Sequence, residues 1–168
     1  MGIAARVKRM MFGTGDRIAG AVYGTIVVMG VIAAGSGAST EPLQLAGFVA
    51  ATVVVLWIAH VHAHAIAESI QLDRRVDRAE LASVARRELA IPLAAVPSLA
   101  ALVLGGLGVV QESRATRLAL GVGVAMLAVQ GVRFARLEHT GRTGAFIAVS
   151  MNVLIGLVIV ALEVLLTH

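Results

Sequence analysis

The chain has 168 residues and a formal net charge of +4, and 58% of its residues are hydrophobic while only 14% are charged. Soluble domains are about half apolar and about a quarter charged, so this composition favours an integral membrane protein over a soluble domain. Cysteine is absent, which excludes disulfide bonds, thiolate metal sites and thiol catalysis.

Five apolar runs follow one another along the chain, each close to the length of a membrane-spanning helix. Such a helix needs about 20 predominantly apolar residues. The connections "GSGASTEP" (35–42) and "QESRAT" (111–116) are short and rich in turn-forming or polar residues. We therefore predict an all-α polytopic membrane protein with one transmembrane domain over residues 1–168. Its predicted spans are about 18–34, 43–65, 91–110, 118–132 and 145–166.

The basic residues gather on one side of the predicted membrane. Only Arg114 and Arg117 lie on the other side. The positive-inside rule then predicts a cytoplasmic N-terminus and an outside C-terminus in a bacterial plasma membrane. Because no stacking aromatic residues accompany these arginines, the pI near 11 indicates contact with anionic lipid headgroups and no nucleic-acid partner. The segregated residues are Arg6, Lys8, Arg9, Arg17, Arg74, Arg75, Arg78, Arg86, Arg87, Arg133, Arg136 and Arg142.

The segment 69–90, between the second and third spans, is the only long polar stretch. Asp77 and Glu80 have the spacing of a capping box, which predicts a helix that begins at this point. Pro92 and Pro97 are expected to bend or break the junction with the third span. We therefore predict a short amphipathic cytoplasmic helix at the membrane interface.

Three histidines alternate with small apolar residues in "WIAHVHAHAIAE" (57–68). At helical spacing His60 and His64 share one face, Glu68 follows one turn later, and His62 points to the opposite side. Two imidazoles spaced i,i+4 can bind one transition metal ion. Imidazole and carboxylate suit zinc, iron, nickel or manganese. Glu68 lies about 12 Å in rise from His60, so we expect it to collect ions or protons at the entrance.

Every predicted span carries a polar side chain at a similar depth to His60. Polar groups in hydrocarbon need a partner or water, so we predict one shared pocket that opens toward the cytoplasm. The alternative is that these side chains form hydrogen bonds between helices and serve only helix packing. The residues predicted to line or surround this pocket are Tyr23, His62, Ser98, Gln130, Glu138, His139, Ser150 and Asn152.

These patterns lead to two functional hypotheses. The first is a polar pocket that binds a divalent metal ion or protons for transport or sensing, in a homo-oligomer for which we predict a dimer. The second is a non-catalytic accessory subunit of a larger membrane complex, because the outer half of the spans lacks the polar lining of a conducting path. The sequence contains no Ser-His-Asp grouping, Walker loop, Rossmann glycine pattern or HExxH motif, so we do not expect an enzyme.

Several stretches resemble known membrane families. "VYGTIVVMGVIAA" (22–34), "WIAHVHAHAIAE" (57–68), "ARREL" (85–89) and "NVLIGLVIVALEVLLTH" (152–168) resemble a group of uncharacterised actinobacterial five-span integral membrane proteins, which implies a topology and no particular activity. The five spans and the cytoplasmic insertion after the second also resemble the vacuolar iron transporter family. That family's acidic residue in the first span is missing where "AGAVYGT" (19–25) stands. The resemblance therefore implies topology without the metal-binding residues.

Overall fold

The structure, a computed structural model, describes residues 3–36 and 41–167. These residues form helices and turns without a β-strand, so the predicted all-α fold is confirmed. Helix α1 contacts each of the other five helices and is the centre of the bundle. Around it, α2 packs on α4, α4 on α5 and α5 on α6. The helices are α1 (Ile3–Ser36), α2 (Pro42–Leu72), α3 (Arg78–Arg87), α4 (Ala90–Gly106), α5 (Glu112–Leu137) and α6 (Arg142–Thr167).

Four of these helices are long and apolar enough to cross a membrane. The candidate spans are Arg17–Ser36, Pro42–Gln71, Arg114–Leu137 and Arg142–Leu165. Helices α3 and α4 pass the same test together as one broken span with a bend of 41°, which brings the number to as many as five. Length and composition are thus compatible with a membrane protein.

Several predicted boundaries differ from the structure, and one predicted turn falls partly outside it. The predicted turn 111–116 is wrong from residue 112 onward, because α5 begins at Glu112. The predicted spans 43–65 and 118–132 are longer in the structure, as Pro42–Gln71 and Arg114–Leu137. Helix α4 ends at Gly106 rather than at residue 110, because Gly108 adopts a φ of 75° and the chain turns there. The amphipathic helix is shorter than 69–90, because α2 continues to Leu72 and ends at Asp73, which has a φ of 50°. Residues 37–40 of the first predicted turn lie outside the described residues.

The predicted capping box at the start of α3 is confirmed. The side chain of Asp77 accepts a hydrogen bond from the Glu80 backbone N–H at 2.8 Å, and the Glu80 side chain accepts one from the Asp77 backbone N–H at 2.9 Å. The last turn of α3 leads through Glu88 and Leu89 into α4, with Pro92 in the first turn after the bend. The bend therefore lies close to where Pro92 predicts it, whereas Pro97 lies inside α4 and does not mark the junction.

Glu80 also forms an ion pair with Arg74, which joins the end of α2 to α3 at 2.5 Å. The hydrogen bond from Arg74, and then the one from the Asp77 backbone, lower the pKa of Glu80. A lowered folded pKa means that the pair contributes stability above the unfolded value of about 4.3 and loses it as the pH falls through the folded pKa.

We therefore expect Glu80→Gln to reduce the acid sensitivity of this turn. In the native chain, amide protection factors in α3 should fall between pH 6 and pH 3, and in Glu80→Gln they should fall less, because only the other carboxylates that hold α3 still lose their charge. Hydrogen exchange corrected for intrinsic rates measures this difference. Glu112→Gln, an exposed substitution at the start of α5, is the control, and equal acid sensitivity in both variants would contradict the expectation.

The apolar core occupies the half of the bundle away from α3. Helix α6 contributes little to this core, since only 6% of its apolar window is buried. The histidine-lined and arginine-lined cavities described below lie at the other end, which we call the α3 end. The buried core residues are Val28, Met29, Ile32, Leu45, Ala46, Val49, Val53, Ala95, Leu102, Ala119, Leu120 and Leu127.

Candidate functional site

A cavity of about 300 Å³ lies at the α3 end, where α1, α2, α3 and α4 meet. We call it the histidine cavity. Its apolar walls come from the small residues of α1 and from one residue each of α3 and α4. Because four separate segments contribute to it, its shape depends on how α3 folds back onto α2. The polar lining residues are Tyr23, His60, His64, Arg87 and Glu88.

His60 is held by its own helix and by α1. Its Nδ1 atom lies 3.2 Å from the Leu56 carbonyl oxygen, and its ring centroid lies 5.0 Å from that of Tyr23 with the two rings tilted by 45°. A neutral His60 with its proton on Nδ1 donates to that carbonyl and keeps Nε2 as an acceptor. The second nitrogen is then available to a proton or a ligand in the cavity.

His64 lies between a backbone carbonyl and a carboxylate. Its Nδ1 atom is 3.1 Å from the His60 carbonyl oxygen and 3.5 Å from Glu88 Oε1. The His64 side chain is 56% exposed, whereas that of Glu88 is only 17% exposed. Protonated His64 is therefore the cationic partner of a mostly buried carboxylate at the bend between α3 and α4.

The predicted ligand Glu68 lies beside this cavity rather than in it. Its Oε1 atom forms an ion pair with Arg87 at 2.5 Å, and the two residues line a neighbouring cavity of about 320 Å³. Arg87 lines both cavities. Between the same two helices, α2 and α3, Trp57 Nε1 donates a hydrogen bond to the Ala85 carbonyl oxygen at 3.2 Å. Helix α3 is therefore fastened to α2 by an indole hydrogen bond, an ion pair and the contact between His64 and Glu88.

The two imidazoles are placed further apart than a shared metal ion requires. Their ring centroids are 6.4 Å apart, whereas two imidazoles bound tetrahedrally to one zinc ion have centroids about 5 Å apart. Within residues 3–36 and 41–167, no group of three or more His, Cys, Asp or Glu residues could hold a metal ion. As they stand, the two rings do not have the separation of imidazoles that share one metal ion.

Three other predicted pocket residues form hydrogen bonds between helices. Ser98 is buried and donates to a backbone carbonyl of α5 at 3.1 Å. Asn152 donates to another α5 carbonyl at 3.2 Å, and Gln130 Nε2 donates to Thr25 Oγ1 on α1 at 3.1 Å. These contacts match the alternative considered for them, in which polar side chains hold membrane helices together.

The remaining predicted residues are dispersed. Glu138 and Asn152 line a larger, mostly apolar groove of about 630 Å³ between α1, α5 and α6. Tyr23 lines both this groove and the histidine cavity. His62, His139 and Ser150 are exposed, and His139 has a φ of 49° in the turn after α5. The structure therefore divides the predicted set, with Tyr23, His60 and His64 in the histidine cavity and Tyr23, Glu138 and Asn152 in the groove.

Two functional residues were missed by sequence reasoning. Arg87 was assigned only to the membrane interface and Glu88 received no role, yet both line the histidine cavity. The sequence feature that could have identified these two residues is their position shortly before Pro92. Residues at a break between two helices leave the regular helical register and can turn toward a neighbouring helix.

The polar groups of the histidine cavity are two imidazoles, one carboxylate, one guanidinium and one phenol. Among the described lining residues, Tyr23 carries the only hydroxyl, and its ring lies 5.0 Å from that of His60. The chain matches no protein-family model, no curated protein and no solved structure.

Proposed function

We propose that this protein is a five-span integral membrane protein of a bacterial plasma membrane that senses cytoplasmic protons through the histidine cavity. Helix α4 is the third span in this proposal, and α3 is its interfacial extension. The basic residues at the α3 end support a cytoplasmic N-terminus and an outside C-terminus by the positive-inside rule. The protein is proposed to act without catalysis.

The contact between His64 and Glu88 carries this proposal. Imidazole is the side chain whose charge changes between pH 5 and pH 8. When His64 is protonated it pairs with Glu88 across 3.5 Å, and when it is neutral the pair is absent. Protonation therefore tightens the attachment of α2 to the bend between α3 and α4.

Sensing is favoured over proton transport by the composition of the core. A conducting path needs polar groups or water along its length. The described core beyond the histidine cavity is built from apolar side chains such as Val28, Ile32 and Leu102, each with an exposed fraction of 0%. A proton that enters the cavity at the α3 end therefore faces apolar side chains, which do not provide a conducting path.

Proton sensing predicts that the attachment of α3 to α2 weakens as the pH rises from 5.5 to 8. The expected loss is at most about 1 kcal/mol, because His64 is half exposed and exposed ion pairs contribute little. His64→Gln and Glu88→Gln should each abolish this pH dependence. Combining the two substitutions should cause no further change in amide protection of α3. The measurement is amide protection in α3 of the purified full chain at both pH values.

His62→Gln is the matched control, since His62 is exposed on the same helix and lines no part of the cavity. It should keep the full pH effect. If His64→Gln behaved like His62→Gln, proton sensing at this position would be ruled out.

A divalent metal ion is the second candidate ligand of the same cavity. The supporting observation is that Nδ1 of both His60 and His64 faces a backbone carbonyl, which is how metal-binding histidines present Nε2 to an ion. Zinc, iron, nickel or manganese should then raise the Tm of the native chain and not that of His60→Ala/His64→Ala. No stabilisation by any of the four ions would remove this candidate.

The accessory-subunit hypothesis rests on α6. Its outward side chains are nearly all apolar, and Phe146 and Leu165 are about three-quarters exposed. A second copy of the chain or a larger membrane complex would cover this face. Crosslinking in native membranes from a cysteine introduced at Phe146 tests it, and recovery of the monomer alone would contradict both assemblies.

A further inference from the structure

A third cavity at the α3 end is lined by arginines. It has a volume of about 370 Å³ and lies between α1, α3, α4 and α5. No acidic residue belongs to its described lining. We call it the arginine cavity. Its polar lining consists of Arg17, Arg86, Arg87, Gln130 and Arg133.

The positive charge around this cavity is only partly compensated. Arg87 is paired with Glu68, whereas Arg17, Arg86 and Arg133 form no ion pair within the part of the chain that the structure describes. Like charges that surround one space repel each other, and an anion between them relieves that repulsion. Guanidinium groups bind phosphate oxygens in pairs of parallel hydrogen bonds, so a phosphate group fits this lining.

The rest of the cavity wall is apolar, and part of it faces the outside of the bundle. Leu89, just before α4, and Leu93 on α4 belong to this outer part, and Leu93 is 64% exposed. Arg17 lies on α1 and Arg133 on α5, each near one end of its candidate span. A ligand that contacts the whole cavity therefore needs a phosphate at one end and a hydrocarbon chain at the other, as a phospholipid has.

Gln130 supplies an independent observation. Its side chain is only 2% exposed, and its Oε1 atom has no hydrogen-bond partner within the described residues. Its Nε2 atom is engaged with Thr25. A buried acceptor without a partner is unfavourable, and a ligand hydroxyl that donates to Oε1 would satisfy it.

We propose that the arginine cavity binds an anionic glycerophospholipid whose headgroup carries a hydroxyl group. The phosphate lies among Arg17, Arg86 and Arg133, the hydroxyl donates to Gln130 Oε1, and an acyl chain lies along Leu93. These five contacts are distinct from the contact between His64 and Glu88, because none of the five side chains lines the histidine cavity. Arg87 lines both cavities and is paired with Glu68.

The experiment measures lipid binding to the purified full chain by native mass spectrometry and by the shift in Tm. The probes are phosphatidylglycerol, phosphatidic acid, phosphatidylcholine and the soluble compound glycerol 3-phosphate. We expect phosphatidylglycerol to bind most tightly, phosphatidic acid at least threefold less tightly, and phosphatidylcholine at least tenfold less tightly. Glycerol 3-phosphate should give no shift in Tm, because it lacks the acyl chain.

The variant Arg17→Gln/Arg133→Gln should weaken phosphatidylglycerol binding at least fivefold. The control Arg75→Gln/Arg136→Gln removes the same charge from exposed residues at the same end that do not line the cavity, and it should bind as the native chain does. Equal loss in both double variants would show that general surface charge attracts the lipid and would overturn the site.

Two further outcomes are decisive. Gln130→Met should lower the preference for phosphatidylglycerol over phosphatidic acid to less than twofold, and an unchanged preference would overturn the role of the headgroup hydroxyl. If glycerol 3-phosphate stabilised the chain as strongly as the lipid, the cavity would bind free phosphate esters and the lipid proposal would fail.

Discussion

Replacing Gly24 with leucine is expected to destabilise the bundle by about 3 kcal/mol, the upper end of the usual cost of overpacking. A Cβ atom at this position would lie 2.7 Å from the Ile91 carbonyl oxygen and 3.0 Å from Ile91 Cα. Both are backbone atoms of α4, so no side-chain rotation relieves the overlap and the two helices must separate. Because α1 is the central helix, that separation disturbs packing throughout the bundle.

Gly30→Leu is the matched control in the same helix. A Cβ atom at Gly30 would meet none of the described atoms within 4 Å. Removing a glycine from a helix interior gains up to about 1 kcal/mol from helix propensity, so stability should stay the same or rise slightly. Unfolding curves of the two variants and the native chain in the same detergent measure the difference. Similar curves for both variants would contradict the close approach of α1 to α4.

The contact at Gly24 also matters for both proposed binding activities. Ile91 lines the histidine cavity, and Ala94, which a Cβ at Gly24 would approach to 3.3 Å, lines the arginine cavity. Any Gly24→Leu protein that remains folded should therefore have weaker phosphatidylglycerol binding and a smaller pH effect in α3. The helix contact that stabilises the fold also sets the shape of the two cavities.

Local features of the chain could be predicted from the sequence. The apolar runs indicate where long helices occur, and the capping box of Asp77 and Glu80 marks the start of α3. The shared face of His60 and His64 follows from helical geometry alone, and the structure places both rings in one cavity. These predictions succeed because each depends on residues within a few positions of one another.

The rotation of each helix and the choice of partners could not be predicted in the same way. Helices α2 and α4 are apolar almost all round, so no hydrophobic stripe shows which side faces the bundle. Gln130 finds its partner Thr25 from a distant part of the chain. Glu68 follows the histidines at helical spacing, yet it turns to Arg87 because α3 folds back along α2.

Glycines show the same difference. Gly20 and Gly24 lie against α4, and their spacing is the small-xxx-small pattern typical of close helix contacts. Gly121 on α5 is equally small, yet a Cβ atom there would meet no described atom within 4 Å. The sequence shows that a residue is small, but it does not show which side of its helix contacts a neighbouring helix.

Leu102→Ala and Leu104→Ala test the division between core and outer surface on a single helix. Leu102 has an exposed fraction of 0%, whereas that of Leu104 is 43%. In soluble proteins a buried Leu→Ala substitution costs about 2–5 kcal/mol, as the sum of a transfer contribution and a cavity contribution. In a bilayer the transfer contribution is small, because lipid tails are as apolar as the protein core.

Leu102→Ala should therefore destabilise the membrane-embedded protein by about 2 kcal/mol, the lower end of that range, since the lost contacts within the core are not replaced. Leu104→Ala should change stability by less than about 0.5 kcal/mol, because acyl chains can fill the space that its side chain leaves. Reversible unfolding in lipid–detergent mixtures measures both values against the native chain. Equal effects of the two substitutions would mean that α4 does not present one side to the core and the other to lipid, and the packing of the bundle described by the structure would be incorrect.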